Sequence, residues 1–91
     1  MSSIKVSLVS AHRTVWSGEA KQLVARTTEG ELGVLPGHTP LLAVLAEGQV
    51  TIYGTDGQNF RAEVDGGFLS ISEGAVLVVA ENVEAGAGSG N

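Results

Sequence analysis

The chain has no cysteine, so neither a disulfide nor a thiolate metal site holds it together, and this absence fits a reducing compartment. Basic residues are few. Five Lys and Arg stand against ten Asp and Glu, a net charge of −5, and the five form no cluster. Phosphate backbones and anionic lipid both require a cationic patch, so neither nucleic acid nor a bare membrane surface is an expected partner. Aromatic residues number four, namely Trp16, Tyr53, Phe60 and Phe68. No apolar run approaches the ~20 residues of a membrane span, and Met1-Ser2-Ser3-Ile4-Lys5 lacks the basic-then-apolar layout of a secretory signal. The reading is a soluble, cytosolic protein that meets a membrane only through a partner. With 91 residues it is one domain, able to bury about 60–65% of its unfolded surface around a core of Val, Leu, Ile and Ala.

What is present is alternation. Ile4, Val6 and Leu8 share one face of a first strand against Lys5 and Ser7, and Val50 and Ile52 repeat the pattern against Thr51 and Tyr53. Asp56-Gly57 lies between strands at 49–53 and 60–64, the signature of a hairpin. Gly66-Gly67 and Glu73-Gly74 punctuate further strands at 68–72 and 75–81, with Asp65-Gly66-Gly67-Phe68 read as a tight reversal into a buried Phe. Turn signals every ~8–12 residues predict an all-β, antiparallel β-sandwich or barrel. Residues 39–47 open like a helix, with Thr39 as cap and Pro40 at the first position, but are apolar on every side and short. They are read as a buried strand, with helix as the alternative. Past Glu81 the periodicity fails and glycine accumulates, which predicts a flexible tail. The domain is accordingly set at 1–83 and the tail at 84–91.

Residues 28–42 are the most distinctive segment. Gly30, Gly33 and Gly37 admit positive φ while Pro36 and Pro40 fix φ and remove amide donors, so a rigid, shaped turn–strand–turn is expected at a sheet edge. Chemistry is not indicated. His12 and His38 sit in no ligand-spaced motif, Glu29 and Glu31 lie in an exposed turn without desolvation, and neither a Gly-x-Ser-x-Gly elbow nor a phosphate loop occurs. His12 is placed in a turn after the first strand, and His38 either bonds loop carbonyls or faces a partner. Trp16 reads as a plug at the core or its rim, ahead of a role as a binding anchor. A docking surface without catalysis is the inference, with no catalytic, cofactor or metal residue assigned.

The run Glu29-Gly30-Glu31-Leu32-Gly33-Val34-Leu35-Pro36-Gly37-His38-Thr39-Pro40-Leu41-Leu42 follows Val15-Trp16-Ser17-Gly18-Glu19-Ala20 and precedes Val64-Asp65-Gly66-Gly67-Phe68-Leu69. In this order the motifs resemble the epsilon subunit of the rotary, proton-translocating F-type ATP synthase, most of all its actinobacterial forms, over roughly residues 4–83. The resemblance implies a β-sandwich of about ten short strands. It also implies a non-catalytic central-stalk subunit, one copy per complex and monomeric when isolated, that docks the gamma subunit to the c-ring and couples proton flow to ATP synthesis. Glu29, Gly30, Glu31, Leu32 and Gly33 are then expected to face the c-ring, and Ser10, His38, Leu41, Leu42 and Ala43 the gamma subunit. The implied location is peripheral, at the cytoplasmic face of the cell membrane. Relatives usually carry a two-helix C-terminal domain that inhibits hydrolysis or binds ATP; here the sequence ends in a stretch of Gly and Ser, either as a naturally short form or as a piece of a longer chain, and in both cases those properties are not carried over and no cofactor is implied. The alternative is a free-standing β-sandwich binding module for peptide or glycan, for which Tyr53 and Trp16 supply little of the expected aromatic platform; a small hydrolase would need a convergent site.

Overall fold

The computed structural model describes residues 2–85. Nine strands form among them: β1 (Ile4–Val9), β2 (Thr14–Thr27), β3 (Gly30–Val34), β4 (Leu41–Leu45), β5 (Gly48–Gly54), β6 (Asn59–Val64), β7 (Gly67–Ser72), β8 (Ala75–Val79) and β9 (Val83–Ala85). All neighbours pair antiparallel except β1 and β8, which run parallel. Hydrogen bonding is continuous in the order β1-β8-β7-β4-β2-β5-β6-β9, with β3 added on β2 and β1 returning to β2.

The 14-residue β2 is shared by both layers of the sandwich. Its first half pairs with β1 through Ala20, and its second half lies between β3 and β5. Inward-facing residues change phase along it: Trp16 and Ala20 point to the core early, Leu23, Ala25 and Thr27 late. The register shift between Ala20 and Gln22 accounts for the change, because one extra residue at Lys21 turns the strand while keeping its apolar face inward. Ile4, Val6, Leu8, Leu23, Val50, Ile52, Leu69, Val76 and Val78 fill the core, each aliphatic side chain contributing roughly 1.5–3 kcal/mol of transfer free energy. Trp16 stacks obliquely on Phe60 at the rim, ring centroids 6.2 Å apart, as a plug.

The predicted strands at 49–53, 60–64, 68–72 and 75–81 are all present within a few residues. Four expectations are corrected. Residues 41–45 form a strand, as expected, but not a buried one: Leu41, Leu42 and Val44 are 37%, 70% and 58% exposed. Phe68 is likewise outside, at 44%, because Leu69 and Ile71 take the inward positions of β7 and leave Phe68 with Ser70 and Ser72. Gly33 has no positive φ; it is an ordinary strand residue opposite Val24, and the left-handed positions in that segment are Gly30 and Gly37. Glu84 and Ala85, assigned to the tail, belong to β9, which pairs with β6. The rest of the predicted tail, 86–91, lies outside the described residues.

A side-chain latch anchors β9. Asp65 accepts hydrogen bonds from the Asn82 side-chain amide at 2.8 Å and from the Asn82 backbone N–H at 3.2 Å. These two bonds, the side-chain one foremost, hold the Asp65 carboxyl below its ordinary pKa. A carboxylate depressed on folding stabilises the fold above its unfolded pKa and loses that contribution as pH falls through the folded value. Protection of the β9 amides, the exchange rate taken relative to the intrinsic rate at each pH, is therefore expected to be flat near neutrality and to fall only in acid below the ordinary carboxylate range. Asp65→Asn should remove that acid step, as followed by amide exchange.

Two of the described glycines are required by packing: at Gly54 a Cβ would lie 2.7 Å from the Gln58 carbonyl oxygen, and Gly67 is tighter still. Its φ is +130°, and a Cβ there would collide with the Val79 carbonyl oxygen of the paired strand. Gly67→Ala should cost ~2–4 kcal/mol in a denaturant melt. At Gly33 a Cβ would meet only the Gln22 side-chain amide, 3.8 Å away, so Gly33→Val should melt within ~0.5 kcal/mol of the parent.

Candidate functional site

The tip of the β2–β3 hairpin is built by Thr27. Its buried hydroxyl donates to the Gly30 carbonyl at 2.7 Å and accepts the Glu29 backbone N–H at 3.1 Å, so one side chain shapes the two-residue turn at Thr28 and Glu29. Thr28 N–H then donates to the Val44 carbonyl at 2.9 Å, and Ala46 N–H to the Arg26 carbonyl at 2.9 Å. These bonds flank the single pairing of Thr27 with Leu45 and tie the tip to β4. Among the described residues, β4 otherwise pairs only with β7.

Between the hairpin and β4 the sandwich opens into a groove of about 420 Å³, lined by residues 27–32 and 41–44. Its floor is apolar, from Leu32, Leu41 and Ala43, and its rim carries Glu29 and Glu31. Glu31 also borders a second depression, of about 450 Å³, with Arg26, its cross-strand neighbour. The outward side chains of β4 extend the apolar surface across the layer. Val44, Phe68, Val79 and Val9 are successive cross-strand neighbours, and Leu42, Ser70, Leu77 and Ser7 form the adjacent row. Leu77 is itself 41% exposed.

The candidate residues are thus distributed unevenly. Glu29, Gly30, Glu31 and Leu32, expected to face one partner, share a groove with Leu41, Leu42 and Ala43, expected to face another. Gly33 lies on the same strand but outside the groove lining. Ser10 sits at the end of β1, where its hydroxyl accepts the N–H groups of His12 and Arg13 at 3.2 and 3.3 Å, so its role there is to close a turn. His38 follows the turn at Pro36 and Gly37, donating its backbone N–H to the Leu35 carbonyl at 3.1 Å and placing Nδ1 2.7 Å from the Thr39 carbonyl oxygen. Val44, Phe68 and Leu77 were not anticipated. For Phe68 the signal was in reach, since the alternation of Leu69 and Ile71 with Ser70 and Ser72 assigns it to the serine face.

Among the described residues no three His, Asp or Glu come together as a metal site. What the groove offers is an apolar strip, open backbone groups and two carboxylates, which is the chemistry of recognition.

Comparison with known proteins gives the class of this fold, the β-sandwich domain of an ATP synthase chain. The family model for the ATP synthase, Delta/Epsilon chain, beta-sandwich domain matches residues 3–86, and the chain belongs to that family. It is 44% identical over 86 residues to the ATP synthase epsilon chain of Micrococcus luteus, covering 94% of each chain. It is 49% identical over 81 residues to that of Frankia casuarinae, covering 89% of this chain and 95% of the relative. To the epsilon chain of Corynebacterium diphtheriae it is 55% identical over 82 residues, with 89% of this chain and 67% of the relative covered. Among solved structures it resembles a chain of the Euglena gracilis mitochondrial ATP synthase OSCP/F1/c-ring assembly, with a TM-score of 0.87 at 24% identity over 93% of this chain and 54% of that one. This last likeness concerns the fold.

Thr27→Val should lower stability by about 1–2 kcal/mol, since two hydrogen bonds at the tip are lost while the buried volume is kept. Thr27→Ser should recover most of it, as read from thermal melts of the two variants.

Proposed function

We propose that the chain is a non-catalytic central-stalk subunit of the proton-translocating ATP synthase, docking the gamma subunit to the c-ring and coupling proton flow to ATP synthesis. The observation that carries this reading is the exposed apolar strand β4 directly beside a carboxylate-bearing turn. An apolar surface of this kind on a small domain marks an interaction site, and family membership supplies the assembly in which it acts. Relatives named ATP synthase epsilon chain, matched over nearly their whole length, support the same assignment.

In this reading the tip residues Glu29, Gly30, Glu31, Leu32 and Gly33 meet the c-ring. Leu41, Leu42 and Ala43 meet gamma, joined by Val44 and Phe68 on the outer face, with Ser10 and His38 shaping the loops at the ends of that layer. The shared groove implies that the two contacts adjoin at β4, which suits an element that must transmit torque without slipping. Apolar area supplies affinity while Glu31 orients the ring contact. In this reading the chain reaches the cytoplasmic face of the cell membrane through the complex; no helix among the described residues is long and apolar enough to cross a membrane.

The test is proton-driven ATP synthesis by vesicles whose synthase has been depleted of epsilon and supplied with this chain. Glu31→Lys should fold with a loss of at most ~1 kcal/mol, the cost of a lysine directly across from Arg26, yet support markedly less synthesis. Undiminished synthesis by a normally melting Glu31→Lys would remove the docking role from the tip, and failure of the parent chain to restore coupling would remove the stalk assignment.

A further inference from the structure

The groove is bounded by a strand edge that nothing among the described residues pairs. Val44 directs its carbonyl toward the hairpin, where Thr28 takes it; backbone groups alternate along a strand, so the Val44 N–H and both polar groups of Leu42 point the same way, into the groove. No described strand meets them, because β4 joins β2 at Thr27 alone. Soluble proteins guard such edges with lysine, proline or a bulge inside the strand. Leu41-Leu42-Ala43-Val44-Leu45 has none of these.

We infer that the open edge of β4 takes up an extended apolar segment of a neighbouring subunit as an added β-strand, flanked by Lys or Arg that meet Glu29 and Glu31. This rests on the stalk reading and specifies how the chain is held there. An added strand would satisfy the Leu42 and Val44 groups, and its inward side chains would cover Leu32, Leu41 and Ala43 across the mouth of the sandwich. Charge selects the occupant. The groove lining contains two glutamates and no Lys or Arg, and each chain carries a net charge of −5, so a second copy brings repulsion where a cationic segment brings attraction.

Position 42 separates backbone pairing from side-chain contact. Its N–H faces away from β7, so proline there removes no ladder bond of the sandwich but blocks the added strand, whereas Leu42→Thr keeps the N–H. The experiment is amide exchange of this chain, free and assembled into actinobacterial ATP synthase depleted of epsilon, with retention measured for Leu42→Pro and Leu42→Thr. On assembly the Leu42 and Val44 amides should slow by about tenfold or more, the scale of a gained backbone hydrogen bond. Leu42→Pro should be retained about tenfold less well than Leu42→Thr, each having first been shown by a melt to fold. Glu29→Gln combined with Glu31→Gln should slow association several-fold at low salt.

Assembly without slowing at Leu42 and Val44 would overturn the added strand while leaving the stalk reading intact, as would equal retention of the two position-42 variants. A free chain that sediments as a dimer with those amides already protected would make the occupant a second copy. An unchanged association rate for the glutamine variant would overturn the cationic flank, and a parent chain that does not assemble would overturn both this inference and the stalk reading.

Discussion

The structure depends on the pairing capacity of β2. Ala20 pairs with both β1 and β5, Leu23 and Val24 with both β3 and β5, and Thr27 with both Gly30 and Leu45. One edge of β2 therefore serves β1 and then β3, and the other serves β5 and then β4. A 14-residue strand has room for four neighbours only if one is short-changed, and the residues at 20–24 are already committed to β5. β4 receives the last residue alone. Its exposed edge, and the groove beside it, follow from how β2 is shared between the layers.

This arrangement separates the groups that hold the fold from those proposed to meet a partner. The core is aliphatic and closed, with Ile4, Leu8, Leu23, Ile52 and Leu69 at 1% exposure or less. Polar order at the tip comes from Thr27 and the Thr28–Val44 bond, both anchored on backbone. Glu29 and Glu31 project from that frame as exposed charges, which costs the fold little and leaves them free to set orientation at an interface. Apolar area and charge thus occupy neighbouring but distinct positions on one scaffold.

Much of the fold was legible because the buried strands have one wet face. β1 and β6 alternate in sequence as they do in burial, and the Asp56-Gly57 turn marks its hairpin. Legibility ended where the second face is not finished within the chain. A continuous apolar run signals burial on both faces, yet β4 has an outward face that is dry only when something covers it. β9 escaped notice for another reason: its three residues sit among glycines and small residues, and they are fixed by Asp65 reaching across 17 positions to Asn82, which no local pattern reports. Gly33 shows the limit of composition, since glycine permits positive φ without adopting it. The shaped segment proposed for docking stood out in sequence at 28–42; that its two halves share one groove depends on the Thr28–Val44 bond, a tertiary contact.

An apolar edge strand that is open in isolation has to be kept from pairing with itself, and the surrounding residues show how. Pro36 and Pro40 stiffen the approach to β4 and withhold amides just upstream of it, limiting the edge to the few residues of the strand. Glu29 and Glu31 stand on the far wall of the groove, so a second copy approaching β4 brings its own pair of carboxylates toward them. The repulsion is modest for exposed groups and is screened by salt over about 8–10 Å, but it acts at the short range where two edges would have to meet. A cationic partner turns the same charges into attraction. With the proposed added strand, the carboxylates would do two things from one position: discourage self-association of the free chain and favour the partner that completes the sandwich.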